Sequence, residues 1–292
     1  MKEFIKSLLQ LFFRPARLLN RRKVVVLAYH EVRNESLFEK QLEFILRYYN
    51  PITIEDFVLF VNGKKELPEY ALLITFDDGD PSVRNKAMPL LQKYGIPATA
   101  FIISENVELQ MRYWWKVVEE FYKANGHAPA LGRKQVNRLK SVPNAERLRE
   151  INSIVEKIPA LLRDPETLSP EDLFVMERAG ITIGSHTATH PILNNCTEDE
   201  LEREFSESKK FFIRNGLPNY KYFAYPNGDY DSRLIPILKK SGIEIAFTFN
   251  HKLVDSRVNR YAVNRIRANA HDSIYELKLR VSGLSTILNR NK

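Results

Sequence analysis

The chain has 292 residues, 44% of them hydrophobic, enough to bury the core of one barrel-sized domain. Its 44 basic against 36 acidic residues give a net charge of +8, a balance that suits an anionic partner such as nucleic acid, acidic glycan or anionic lipid. The single cysteine, Cys196, excludes an internal disulfide, and its position after Leu193-Asn194-Asn195 predicts a small core or cap residue.

At the N-terminus, Phe4, Ile5, Leu8, Leu11 and Phe12 fall on one helical face, with Lys2, Lys6, Gln10 and Arg14 mostly opposite. The stretch is too short and too interrupted to span a bilayer. It lacks a small-residue cleavage site, and Arg14, Arg17, Arg21, Arg22 and Lys23 follow it, which argues against a secretory signal. Residues 1–22 therefore read as an amphipathic helix and basic linker. Such a segment lies on an anionic membrane surface or packs against the barrel or a neighbouring subunit, and the two readings weigh equally. The expected location is cytoplasmic, or peripheral on the inner face of the membrane.

From residue 23 to 292 the pattern is that of one domain. Lys23 to Ala28 forms a buried strand followed by Tyr29-His30-Glu31. Helical periodicity runs over Leu37–Tyr49 and Thr53–Val61. Ala71 to Phe76 is a second buried strand, ending in Asp77-Asp78-Gly79. A helix over Val83–Tyr94 closes at Gly95, and Ala98–Ile103 is the next strand. A helical insert follows at about 104–168, with Trp114 and Trp115 expected to dock it. Ser169-Pro170 then caps a helix ending at Gly180. Strand Ile181–Gly184 leads into Ser185-His186-Thr187-Ala188-Thr189-His190-Pro191. A long helix over Thr197–Arg214 precedes strand Tyr222–Ala224, which leads into Tyr225-Pro226-Asn227-Gly228. A helix over Ser232–Lys240, strands Ile245–Thr248 and Val263–Ile266, and a helix over Ser273–Val281 complete the chain. Counted from Lys23, seven strands alternate with helices, which predicts an α/β fold with a parallel sheet.

Two adjacent carboxylates at the end of a core strand sit where α/β folds place their ligands, and two close anions call for a cation or a shared proton. His186 and His190, four residues apart after another strand, aim two imidazoles at one point. Joined to Asp78 they form a His-His-carboxylate set for a divalent metal, Zn²⁺ first and Co²⁺ or Ni²⁺ as alternatives, with open positions for water and substrate. Asp77 is left beside the metal as a carboxylate suited to accept a proton.

Thr75-Phe76-Asp77-Asp78-Gly79, followed by His186-Thr187-Ala188-Thr189-His190-Pro191, resembles the NodB-like polysaccharide deacetylases of carbohydrate esterase family 4. The resemblance covers about Val24 to Gly283. It implies a distorted seven-stranded (β/α) barrel that removes acetyl groups from sugars, with Asp77 as base and Asp78, His186 and His190 as metal ligands. The family's Arg-x-Pro-aromatic motif is replaced by Ala224-Tyr225-Pro226-Asn227, and Arg265 looks like the substitute that holds Asp77. Tyr225 and Asn227 are expected to face the substrate, with the backbone N–H after Pro226 as an oxyanion donor. Tyr29-His30 resembles the Tyr-His of deacetylases of exported poly-N-acetylglucosamine, which makes His30 the expected acid and His271 its rival. The implied substrate is an acetylated glycan, whether polysaccharide, exopolysaccharide precursor or lipid-linked. The competing readings are a same-fold hydrolase of another amide and an inactive carbohydrate-binding relative. Arg133, Lys134, Arg138 and Lys140 form a basic patch without interleaved aromatics, so no nucleic-acid partner is expected.

Overall fold

Every residue of strands β1 (Val25–Tyr29) and β3 (Ala71–Phe76) is buried, and the two pair in parallel from Val25 opposite Leu72 to Tyr29 opposite Phe76. The computed structural model describes residues 12–158, 160 and 166–283. Around that pair run β4 (Ala98–Ile102), β5 (Ile181–Ser185), β6 (Tyr222–Ala224), β7 (Ile245–Thr248), β8 (Val263–Asn264) and β9 (Ile266–Arg267), in the order β8-β7-β6-β5-β4-β3-β1-β9. A two-residue strand, β2 (Asn50–Pro51), adds to the start of β3. Strands β8 and β9 occupy the single strand expected near Val263. The first half pairs with β7 and the second with β1, so one broken stave closes the barrel and Arg265 stands at the break.

Alternation along the strands sorts their side chains into two cores. Val24, Val26, Leu73, Phe101, Phe247 and Val263 form the barrel interior, against which Phe57 and Val58 of helix Ile54–Val61 pack. Leu27, Tyr29, Leu72, Ile74 and Phe76 face the surrounding helices. Helices Pro170–Arg178, Glu198–Arg214 and Ile274–Val281 each start with a reciprocal capping box, from Ser169, Thr197 and Ser273. Each such cap contributes about 1 kcal/mol. The helix expected over Val83–Tyr94 begins instead as a π segment, Val83–Ala87, and turns α-helical at Met88–Tyr94. Pro89 has no N–H to give Asn85, and widening the turn accommodates that gap.

The insert folds as helices Ser104–Leu109, Trp114–Ala124, Pro129–Leu139 and Asn144–Lys157. The last three share a small core of Trp114, Val117, Val118, Val136, Leu139 and Ile151. Cys196 is buried just after a short 3₁₀ turn, as expected.

Residues 12–19 are helical and pack on the barrel. The Phe13 ring meets Phe44 and Tyr48 at 5.7 and 5.6 Å. Arg17 donates to the Tyr48 carbonyl at 2.8 Å and lies 3.5 Å over the Tyr70 ring, while Arg21 pairs with Glu69. Two of the five basic residues that the membrane reading uses are thus engaged with protein, which favours packing for this part. Phe4, Ile5, Leu8 and Leu11 lie outside the described residues. No described helix is long and apolar enough to cross a membrane.

Candidate active site

Asp77 extends the β3 ladder by one bond, its N–H donating to the Tyr29 carbonyl at 2.9 Å. Asp78 then takes φ +72° and Gly79 φ +87°. On a continued strand the two carboxylates would point to opposite faces; these two left-handed residues break the alternation and let both line one cavity.

The histidines come from the loop after β5, where His186 N–H donates to the Ile102 carbonyl at 2.9 Å. Thr187 and His190 have φ of +70° and +57°. For a β-branched residue that conformation is costly, on the order of 1–3 kcal/mol, and persists only where the surroundings enforce it. Here they do. Thr187 Oγ1 accepts from His190 N–H at 3.0 Å, and the Thr187 carbonyl accepts from Ser104 N–H. Buried Glu204, on helix Glu198–Arg214, accepts from the N–H groups of Ala188 and Thr189 and from the Thr189 hydroxyl, at 3.0, 2.9 and 2.6 Å. The Trp114 indole N–H donates to the His190 carbonyl at 3.1 Å and ties the insert to the same loop.

These constraints set Asp78 Oδ1 at 3.4 Å from His186 Nε2 and 3.5 Å from His190 Nε2. The His186 Nδ1–H donates to the Ala224 carbonyl at 2.7 Å, which turns the Nε2 lone pair toward Asp78. Burial pushes His190 down to about 3, so its ring is neutral near pH 7. Asp78 Oδ1 is buried and, among the described residues, has no hydrogen-bond partner. Three lone-pair atoms facing one another repel unless a cation lies among them, so this donor set fits a divalent metal.

Arg265 holds Asp77 with a two-pronged ion pair, Nη1 to Oδ1 at 2.6 Å and Nη2 to Oδ2 at 2.7 Å, and both side chains are fully buried. Its Nη1 also donates to Thr75 Oγ1 at 3.1 Å. Burial alone would raise the Asp77 carboxyl; the Arg265 guanidinium, and then His186, outweigh it and hold Asp77 below its ordinary value. Asp77 is therefore ionised at neutral pH and able to take a proton.

The cavity above these groups measures about 400 Å³. His30, half-buried, stacks on Phe249 with centroids 6.0 Å apart, and His271 lines the same cavity from an exposed turn. Asn227 is on the wall in a left-handed conformation, φ +58°. Tyr225 is not. Its side chain, expected to face substrate, is in the core, packed on Phe223 and Tyr230 and donating its hydroxyl to the Tyr261 carbonyl at 2.8 Å. The residue directly follows β6, and its ring is drawn into the apolar layer between sheet and helices rather than to the cavity. Of the two tryptophans, Trp114 docks the insert, whereas Trp115 lines the cavity with its ring 4.8 Å from that of His190. Phe249, Arg267, Trp115 and Lys140 were not among the expected site residues. The place of Phe249, one step past β7, is the signal that points to it.

The sequence profile of the family described as polysaccharide deacetylase matches residues 64–246. The chain belongs to the polysaccharide deacetylase family. It is 23% identical over 241 residues to poly-beta-1,6-N-acetyl-D-glucosamine N-deacetylase of Staphylococcus aureus, covering 81% of this chain and 69% of that protein. Its fold is similar to that of Streptococcus pyogenes deacetylase PplD, with a TM-score of 0.65 at 19% identity over 89% of this chain and 98% of that one. It is also similar to IcaB from Ammonifex degensii, with a TM-score of 0.63 at 20% identity over 89% and 97%.

Proposed function

We propose that the protein is a metal-dependent hydrolase that removes acetyl groups from N-acetylated sugars of a polysaccharide, an exopolysaccharide precursor or a lipid-linked glycan. The observation that carries this reading is the junction of two pairs: Asp78 facing His186 and His190, and Asp77 gripped by Arg265 beside them. The name of the Staphylococcus aureus relatives supports an amide-linked acetyl group as the target. Asp78, His186 and His190 would hold the ion, with Zn²⁺ preferred and Co²⁺ or Ni²⁺ as alternatives. A divalent ion there supplies a Lewis acid that polarises a carbonyl and makes water more acidic. Asp77 accepts the proton released when water adds to the acetyl carbon, and Arg265 fixes the carboxylate for that transfer. The backbone N–H of Asn227 offers a donor to the developing oxyanion. Cleavage of the C–N bond leaves acetate and an amine, and the amine must be protonated as it departs.

The test is acetate and free-amine release from a panel of acetylated glycans, with metal content measured on the same sample. About one divalent ion per chain is expected, because three such ligands with open positions describe a catalytic site, and His186→Ala should empty it. A wild-type chain that takes up no Zn²⁺, Co²⁺ or Ni²⁺ when all are supplied refutes the reading.

We assign the proton donor to His30, which follows β1 on the same barrel face as Asp77 and is held against Phe249. His30→Ala is expected to keep its metal and to lose activity on N-acetyl sugars. It should lose much less on an activated ester, whose leaving group needs no proton. A fully active His30→Ala beside an inactive His271→Ala would transfer the role to His271.

A further inference from the structure

The rim of the cavity carries more positive charge than its acids offset. Lys140 ends the insert helix Pro129–Leu139, Arg133 lies two turns earlier on the same helix, and Arg267 comes from β9 on the barrel side; all three line the cavity. Among the described residues none of the three forms an ion pair. Of the acids on the lining, Glu31 pairs with Arg33, Asp77 pairs with Arg265, and Asp78 faces the two imidazoles, which leaves Glu119. Lys140 Nζ donates to Asn227 Oδ1 at 3.2 Å, a neutral acceptor that does not compensate the charge. Burial first, and the charge of Arg267 next, push the Lys140 ammonium below its ordinary value, so the two cations lie close enough to repel. Arg267 is further fixed by the Phe249 ring, 5.1 Å from its guanidinium. Asp78, Asp229 and Glu119 act on Lys140 only from a distance, and two held cations without an ion-pair partner on one cavity gain most from an anion received by both.

We propose that the natural substrate is an anionic N-acetylated glycan whose phosphate or carboxylate group is received by Lys140 and Arg267 while the acetamido group reaches Asp77. This rests on the deacetylase reading above and narrows it. A neutral polymer of N-acetylglucosamine, as in the name of the Staphylococcus aureus relatives, offers these two residues hydroxyl and carbonyl oxygens but no anion. Both cations line the same cavity of about 400 Å³ as Asp77 and Asp78, so one substrate can present its acetyl group to Asp77 and its anion to them. The geometry also explains why Lys140 is anchored at both its ends: its carbonyl accepts from Asn195 at 2.8 Å, and its ammonium meets Asn227.

The experiment compares acetate release by the metal-loaded chain from three oligosaccharides of matched length. One is a neutral N-acetylglucosamine oligomer, one carries an N-acetylglucosaminyl alkyl phosphodiester, and one is a hyaluronan fragment with uronate carboxylates. At least one anionic substrate is expected to exceed the neutral one in kcat/KM by about tenfold, the scale of a hydrogen bond to a charged group. The gain should lie in KM and shrink as salt is raised. Whichever anionic arm shows it identifies phosphate or carboxylate as the group. Lys140→Gln and Arg267→Gln are each expected to bring the anionic-to-neutral ratio toward one. Equal turnover of all three substrates, or a ratio unchanged in both variants, overturns the inference and leaves the deacetylase reading standing. No acetate from any of the three overturns both.

Discussion

Arg265→Ala is expected to destabilise the fold by about 3–5 kcal/mol, the usual result of leaving a buried charge without its partner, and to cut turnover while the metal stays bound. Among the described residues Asp77 pairs with no other cationic side chain, and neither member of the pair is exposed. The sign of the pH dependence follows. In wild type Asp77 is held below its ordinary value, so the pair contributes fully above about pH 4 and fades as pH falls further. In the variant burial acts unopposed by the guanidinium and raises the Asp77 pKa. The deficit should then be largest at pH 7–8 and narrow toward about pH 4 as the orphaned carboxyl takes up a proton. Denaturant midpoints across that range measure it. Arg265→Lys, which keeps the charge but cannot grip both oxygens, should recover part of the stability and less of the turnover. Wild-type stability and turnover in Arg265→Ala would reduce the arginine to a bystander.

Asp77→Asn is expected to lower kcat by roughly 10²- to 10⁴-fold, the range associated with a positioned general base, while metal content remains at the wild-type level. Asn has nearly the shape of Asp but accepts no proton near neutral pH. The metal readout separates loss of the base from collapse of the neighbouring ligand set, because Asp78 is the adjacent residue and shares its turn. Turnover within a few-fold of wild type would remove Asp77 from the role proposed for it.

The barrel and the centre of the site were legible because each rests on local sequence. Ala71–Phe76 is apolar without interruption and must be a strand buried on both faces, and Gly79 just beyond it forces the turn that gathers two carboxylates. The spacing of His186 and His190 likewise works within one short loop. What sequence could not place depends on packing between distant elements. Tyr225 sits in a motif that suggested contact with substrate, yet a phenol has both an apolar ring and a polar tip. The core took the ring, and the Tyr261 carbonyl, 36 positions away, took the hydroxyl. In sequence Lys140 is one member of a basic patch without interleaved aromatics. Arg138 of that patch does pair on the surface with Glu150, but the helix turn that carries Lys140 brings it over the cavity. The single strand near Val263 proved to be two short ones because neither neighbour offers a continuous register across Arg265.

That break ties catalytic competence to the order in which the chain emerges. The three proposed metal ligands and Asp77 are all in place by residue 190, whereas Arg265 arrives with the stave that joins β7 to β1, and it reaches Asp77 across 188 positions of sequence. A nascent chain stopped before Val263 would hold every ligand, with an open seam and a carboxylate buried against nothing. Only a finished barrel holds Asp77, the proposed base, in the grip of Arg265. On the proposed mechanism, full turnover thus doubles as a report that the Val263–Arg267 stave has docked, and chains stopped short of it are expected to fall below it.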